Sequence, residues 1–326
     1  MARWSQKNGF CSNPINQAYH NRNRNATKNI TVLFWHWPYG QSYSLEGDVC
    51  WEKYGISHCQ LVDNRSLYNN SDFVVFHHHE LKLRREKLPT HLPRPPTQRW
   101  IWLSLEAPEN CGDLRPLGGY FNLKMSYRRD ADITIPYGKV IERGEDPIDF
   151  SIPKNKSILA CWVVSNYQYQ HKRTAVYEKL KKVIPVTVYG HAMRKPLTKS
   201  SLIPTISKCY FYLAFENTES ADYITEKLWR NSFQAGAVPV VLGPPPSHYE
   251  AVAPPHSFIH VDTFSSVETL GKFLENLAKD KENYESYFEW HKNYKVKLYT
   301  DWRERLCTIC TVYDRLPQNK VYQTLT

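Results

Sequence analysis

From residue 29 onward, short apolar runs recur between polar stretches. Those at 31–35, 73–76, 100–105 and 133–136 read as buried strands. A second series follows, with strands at 158–164, 186–189, 209–215, 238–242 and 257–261. Helical spacing marks 171–183, where Val176, Leu180 and Val183 form one stripe, and also 222–235 and 267–277. Strands alternating with helices in this way predict an α/β fold of doubly wound sheets. Between the two series, at 139–155, Gly, Glu, Asp, Pro and Lys replace apolar residues. That shift predicts a boundary separating domains at 29–150 and 151–300. Residues 1–28, rich in Asn, Arg, Gln and Ser, read as a flexible stem, and 89–97 as a proline-rich surface loop.

Length agrees with two units, since 326 residues exceed one usual core. A hydrophobic fraction of 41% describes a globular chain and excludes a disordered one. The net charge of +10 favours anionic partners. Nucleic acid is not among those expected, because the basic residues are scattered. Their densest clusters, 82–87 and 179–182, read as solvated helix faces. Sequons at Asn25, Asn29, Asn64, Asn69 and Asn155 point to the secretory lumen, where eight cysteines read mostly as disulfides. Cys307-Thr-Ile-Cys310 also has zinc spacing, but there is no second CxxC to complete a site. No apolar run approaches the eighteen residues of a membrane span.

Residues 209–243 carry the densest chemical signal. Asp222 is placed to cap a helix, Ile224, Leu228, Ser232 and Ala235 give it an inward stripe, and Gly236 supplies a left-handed end. The unit sets a helix N-terminus beside the carboxyl end of a parallel strand, where open α/β sheets bind nucleotides. There Glu226 suits ribose hydroxyls and Lys227 a diphosphate. Taken alone, the pair reads more readily as a salt-bridged helix face.

Three other stretches bear on chemistry. The strand at 100–105 ends in Glu106-Ala107-Pro108, a turn that exposes Glu106 where a general base must stand. An ordinary strand-end ion pair is the bland alternative. Ser165 precedes a helix whose first turn carries Arg173, a cation that opposes the helix dipole and calls for an anion. Asp130 and Asp132 have metal-binding spacing, yet they follow Arg128 and Arg129 and read as ion-paired. His77, His78 and His79 invite a metal too, but neighbours on a strand end point in opposite directions. No metal site is predicted.

Glu216-Asn217, Asp222-Tyr-Ile-Thr-Glu-Lys227 and Val238-Pro-Val-Val-Leu-Gly243 together resemble the donor signature of the α-1,3-fucosyltransferases, glycosyltransferase family 10. The resemblance spans residues 31–325. It implies a GT-B architecture, two Rossmann-like domains facing across a cleft, with acceptor on 29–150 and donor on 151–300. It implies inverting transfer of L-fucose from GDP-β-L-fucose, in α1,3 linkage, to the GlcNAc of N-acetyllactosamine. Glu106 is the implied base, although the family usually has Ser where Ala107 stands. The implied donor contacts are Ser165, Arg173, Tyr212, Asn217, Tyr223, Glu226 and Lys227, with cationic side chains replacing a metal and no other cofactor.

The same resemblance implies disulfides Cys50–Cys307, Cys59–Cys310 and Cys161–Cys209, which leaves Cys11 and Cys111 without an assigned role. The first two would staple residues 301–326 back onto the first domain. His36-Trp-Pro-Tyr39 and Asp301-Trp-Arg-Glu-Arg-Leu-Cys307 resemble the leukocyte-type branch, whose acceptors are α2,3-sialylated and whose product is sialyl Lewis x. Lys82, Arg84, Arg85, Lys87, Arg94, Arg128 and Arg129 are the candidates for contacting that carboxylate. Family members are typically anchored in the Golgi membrane. Residues 1–28 show no apolar run, so a Golgi-lumenal chain without a visible anchor is expected. The alternatives are a GT-B enzyme with another nucleotide sugar and a non-catalytic glycan-binding protein.

Overall fold

The computed structural model describes residues 29–147 and 149–325. The expected stem at 1–28, with Asn25 and Cys11, lies outside the described residues.

Six parallel strands form the first sheet: β1 (Ile30–Phe34), β2 (Cys59–Val62), β3 (Phe73–His77), β4 (Arg99–Ser104), β5 (Leu123–Ser126) and β6 (Ile133–Thr134). Their order is β2-β1-β3-β4-β5-β6. Alternate residues of the central strands β1, β3 and β4 enter two different cores. Val32, Phe34, Val75 and Leu103 face one core, while Leu33, Val74, Phe76 and Trp102 face the other. Burial on both faces is why these strands read as continuous apolar runs.

Two further strands, β7 (Gly138–Glu142) and β13 (Tyr294–Leu298), pair antiparallel as a separate ribbon. The boundary expected at 139–155 therefore opens on a strand, hidden in the sequence because most of both strands is only half-buried. The ribbon lies close against the second sheet. A Cβ on Gly138 would come within 2.6 Å of the Trp229 ring, so only glycine fits. Buried Arg143 secures the crossing, donating to the carbonyls of His291 and Pro147 and to Asp149.

The second sheet contains β8 (Ile158–Val163), β9 (Val186–Tyr189), β10 (Cys209–Phe215), β11 (Val238–Leu242) and β12 (Ile259–His260), in the order β12-β11-β10-β8-β9. All its pairings are parallel. The helices Lys172–Leu180 and Val267–Lys279 cover one face with Val176, Leu180, Leu270 and Leu274. Leu228, Trp229 and Phe233 cover the other.

The helix expected at 222–235 is shorter and irregular. It begins at Glu226, runs three residues, and continues as π-helical Trp229–Gln234. Ser232 donates to the Lys227 carbonyl five residues back, a contact that suits the wider turn. Thr225, not Asp222, is its N-cap, and Gly236 at φ +70° ends it.

The chain then returns to the first sheet. Trp302, Leu306, Cys307 and Ile309 of the helix Trp302–Thr311 are buried in the core of β1, β3 and β4. Cys50–Cys307 and Cys59–Cys310 lock it there, closing loops with sequence separations of 257 and 251. Cys161–Cys209 joins β8 to β10, and Cys111 is free and buried. Among the described residues, no helix is long and apolar enough to cross a membrane.

Replacing both Cys307 and Cys310 by Ala is expected to lower the calorimetric Tm by about 10 °C, at roughly 2–4 kcal/mol per bridge. An unchanged Tm would show that packing alone holds the helix.

Candidate functional site

Both sheets reverse their strand order at an internal point, between β1 and β3 in the first and between β8 and β10 in the second. Crevices open beyond the carboxyl ends of strands at such points. Here the two crevices contribute to one cleft of about 430 Å³. Tyr39, His77 to His79, Lys82 and Glu106 line it from the first sheet, and Asn166 and Asn217 from the second.

Glu106 lies two residues past the end of β4, and its backbone N–H donates to Ser104 Oγ at 3.2 Å. Pro108 then opens the helix Pro108–Cys111, which halts the strand and leaves the carboxylate exposed at the cleft. Its Oε1 accepts from the Ala107 N–H at 3.1 Å, Asn110 Nδ2 at 3.1 Å and the Tyr223 hydroxyl at 2.8 Å. Tyr223 comes from the loop after β10, yet its ring is buried in the core of the first sheet. A carboxylate presented by one sheet is thus oriented by a residue from the other.

The histidines are fixed singly. Trp102 Nε1 donates to His78 Nδ1 at 3.2 Å, so Nε2 carries the proton and donates to the Cys111 carbonyl at 2.9 Å. His77 is buried, and burial, reinforced by the other histidines, holds its pKa well below the ordinary value. Asp130 pairs with Arg128, and Asp132 with Lys320 at 2.7 Å. Among the described residues, the Cys50, Cys59 and Cys307 group alone has metal-like proximity, and all three are in disulfides.

On the second sheet, Ser165 and Asn166 are exposed just beyond β8. Asn166 lines the cleft; Ser165 is not in its lining. Arg173 sits in the first turn of its helix, as expected, at the second position; it is buried, with Nη2 donating to the Asn166 carbonyl. Arg173 Nε, Thr174 Oγ1 and Asn217 Oδ1 are buried without a hydrogen-bond partner among the described residues. Orphaned polar atoms are costly; Asn217 lines the cleft, and Arg173 and Thr174 stand in the first turn of the helix whose Arg173 bonds cleft-lining Asn166. Such an arrangement can receive a polar, anionic ligand.

Lys227 lies at the second position of its short helix. Its ammonium donates to Glu216 at 2.8 Å and Thr225 Oγ1 at 2.8 Å, with Glu226 at 3.4 Å. Burial works to lower its pKa, but the two carboxylates outweigh that and hold it above the ordinary lysine value. Tyr212 differs from its expected role. It is fully buried and accepts from Asn231 Nδ2 at 3.1 Å, so it supports the sheet and offers no surface to a ligand. Asp222 likewise turns away from the helix. At φ +60° it accepts from Arg129 Nε at 2.8 Å and meets His248 at 2.8 Å.

Glu216, Thr225 and Glu109 went unassigned by sequence reasoning. Glu216 had a signal, since it ends an apolar strand as Glu106 does. Glu109, which accepts from Thr218 at 3.2 Å and from Ser220, had none.

Two family models match the chain. The one described as glycosyltransferase family 10 (fucosyltransferase) C-term covers residues 153–326, and fucosyltransferase, N-terminal, covers 27–138. The chain is 46% identical over 298 residues to alpha-(1,3)-fucosyltransferase 7 of Homo sapiens, spanning 91% of this chain and 85% of that protein. It is 42% identical over 295 residues to 4-galactosyl-N-acetylglucosaminide 3-alpha-L-fucosyltransferase 9 of Bos taurus, spanning 90% and 80%. A crystal structure of alpha1,3-fucosyltransferase with GDP-fucose shares its fold, with a TM-score of 0.55 at 17% identity over 93% of this chain and 95% of that one. Two α/β sheets facing across a cleft are the GT-B arrangement.

Tyr223→Phe deletes one donor to a carboxylate, worth about 1–3 kcal/mol. It is expected to lower the calorimetric Tm by roughly 2–6 °C in the wild-type background and far less beside Glu106→Gln. Equal losses in both backgrounds would mean that the two side chains are not coupled.

Proposed function

The chain belongs to glycosyltransferase family 10, the fucosyltransferases, and on that premise we propose which of its residues carry the α-1,3-fucosyl transfer. GDP-β-L-fucose binds against the second sheet. Arg173 and Lys227 meet its diphosphate, Glu226 its hydroxyls, and Asn217 and the Ser165-Asn166 turn its remaining polar groups. An N-acetyllactosamine acceptor enters from the first sheet. Glu106 removes the proton from O3 of GlcNAc, that oxygen attacks C1 of fucose, and the C1–O bond to GDP breaks with its electron pair. Attack opposite the leaving group turns the β donor into an α product. The observation that carries this reading is Glu106 exposed in the cleft, facing the second sheet's strand ends.

Fixed cations serve the departing diphosphate in place of a metal. In support, Asp130 and Asp132, whose spacing would suit a metal, are taken by Arg128 and Lys320. We assign the chain to the Golgi lumen. Three disulfides and exposed sequon residues Asn29, Asn64, Asn69 and Asn155 suit an oxidising, glycosylating compartment.

The acceptor is assigned as α2,3-sialylated, and charge bookkeeping selects its contact. Arg94 is held by the Gln98 and Tyr120 carbonyls, Arg128 by Asp130, Arg129 by Asp222 and Arg85 by Glu80. Of the seven basic candidates only Lys82 lines the cleft, with its ammonium resting on the neutral Asn110 carbonyl. A carboxylate is the better partner for it.

Glu106→Gln is expected to reduce kcat about 10²–10⁴-fold while GDP affinity stays unchanged, and wild-type activity should persist in excess EDTA. Retained turnover, or loss of activity restored by Mn²⁺, would count against the respective assignment. Lys82→Ala should cut kcat/KM for a sialylated acceptor roughly tenfold and leave the neutral one within about twofold. The difference should survive about 0.5 M NaCl, because a direct contact outlasts screening of long-range attraction. Equal effects on both acceptors would remove Lys82 from that role.

A further inference from the structure

Glu216 is not among the expected donor contacts, yet it controls the residue that is. It follows β10 with only 4% exposure, and its carboxylate receives three donors at 2.8 to 3.0 Å: the Thr225 N–H, the Thr225 hydroxyl and the Lys227 ammonium. The same ammonium is shared with Thr225 Oγ1 and stands 3.4 Å from Glu226. The helix that carries Lys227 is three residues long before it widens into a π-turn, so helical geometry alone holds the side chain weakly. Lys227 is fixed instead by a buried counter-charge, and its pull on any arriving anion is already largely balanced.

We infer that Glu216 is a positioning residue that holds the Lys227 ammonium at one point and weakens its grip on the diphosphate, so that GDP can leave after transfer. This rests on the donor reading given above. Without Glu216, the free protein would contain a buried ammonium with a poorer partner, and GDP would relieve that state on binding. Loss of the carboxylate should therefore tighten GDP, whereas loss of a merely structural residue would loosen it.

The test is calorimetric titration of wild type and Glu216→Gln with GDP and with guanosine. The expected result is GDP bound about tenfold tighter by the variant, guanosine unchanged, and kcat and KM for GDP-fucose both lowered. GDP affinity of the variant should also fall as pH rises between about 7 and 9, because a desolvated ammonium without its carboxylate loses its proton earlier. Wild type should show no such fall. Should the amide variant not fold, Glu216→Asp draws the charge back by one methylene and is expected to tighten GDP by a smaller factor. Unchanged or weaker GDP binding in a folded variant overturns the inference. Failure of wild type to bind GDP is a separate result, and it removes the donor assignment itself.

Discussion

The loop at 216–225 sets the distance between the two halves of the chemistry. At one end Glu216 fixes the Lys227 ammonium, and near the other Tyr223 donates to Glu106. Between them Thr218 and Ser220 meet Glu109, and Asp222 meets Arg129. The proposed base and the proposed cation are carried by different sheets, so no single domain core can fix their separation. A 1 Å error between reacting groups can cost about two orders of magnitude in rate. Ten residues with polar contacts to both sides are what makes the cleft a site and not merely a gap between domains.

That loop can be tightly drawn because its frame is rigid. The C-terminal helix returns to the first sheet under two disulfides, and the β7–β13 ribbon joins the chain a second time across the boundary. With two crossings, rotation of one sheet about the other is restricted. Tyr137 adds a third restraint, donating from the crossing segment to the Leu105 carbonyl one residue before Glu106. The buried Arg173 Nε, Thr174 Oγ1 and Asn217 Oδ1, without a hydrogen-bond partner among the described residues, are the polar atoms this frame leaves over on the second sheet's side.

How much of this was legible in the sequence depends on the range of the interactions. Strands buried on both faces announce themselves, and those expected at 31–35 and 100–105 differ from β1 and β4 by a single position. Glu106 was legible for the same reason, because a carboxylate ending an apolar strand just before a proline turn lands at the sheet's carboxyl edge, where ligands bind. The ribbon was not, since half-buried residues such as Val140 and Lys295 erase the period. Asp222 misled because its carboxylate is used by Arg129, 93 residues away, a partner that local pattern cannot supply. Tyr212 misled in the opposite sense. It lies within a strand buried on both faces, with Phe211 and Leu213 in one core and its own ring in the other, away from the strand end where ligands bind.

Charge shows the same division between what composition states and what geometry decides. A surplus of +10 suggests an anion-binding protein, but most of the basic side chains near the cleft are already spoken for. Arg128, Arg129 and Arg85 face carboxylates, and Lys227 faces two. Surplus surface charge is screened within about 8 Å at physiological salt and gives no specificity. What remains is a small set of buried or cleft-lining groups whose partners are weak or missing: Arg173 on a carbonyl, Lys82 on a carbonyl, Asn217 on nothing described. An incoming diphosphate or carboxylate gains most where the protein has left a cation under-satisfied, and least where a carboxylate already sits. On the donor and acceptor contacts proposed above, selectivity in this cleft follows from which cations the fold has left without acids, and not from how many it contains.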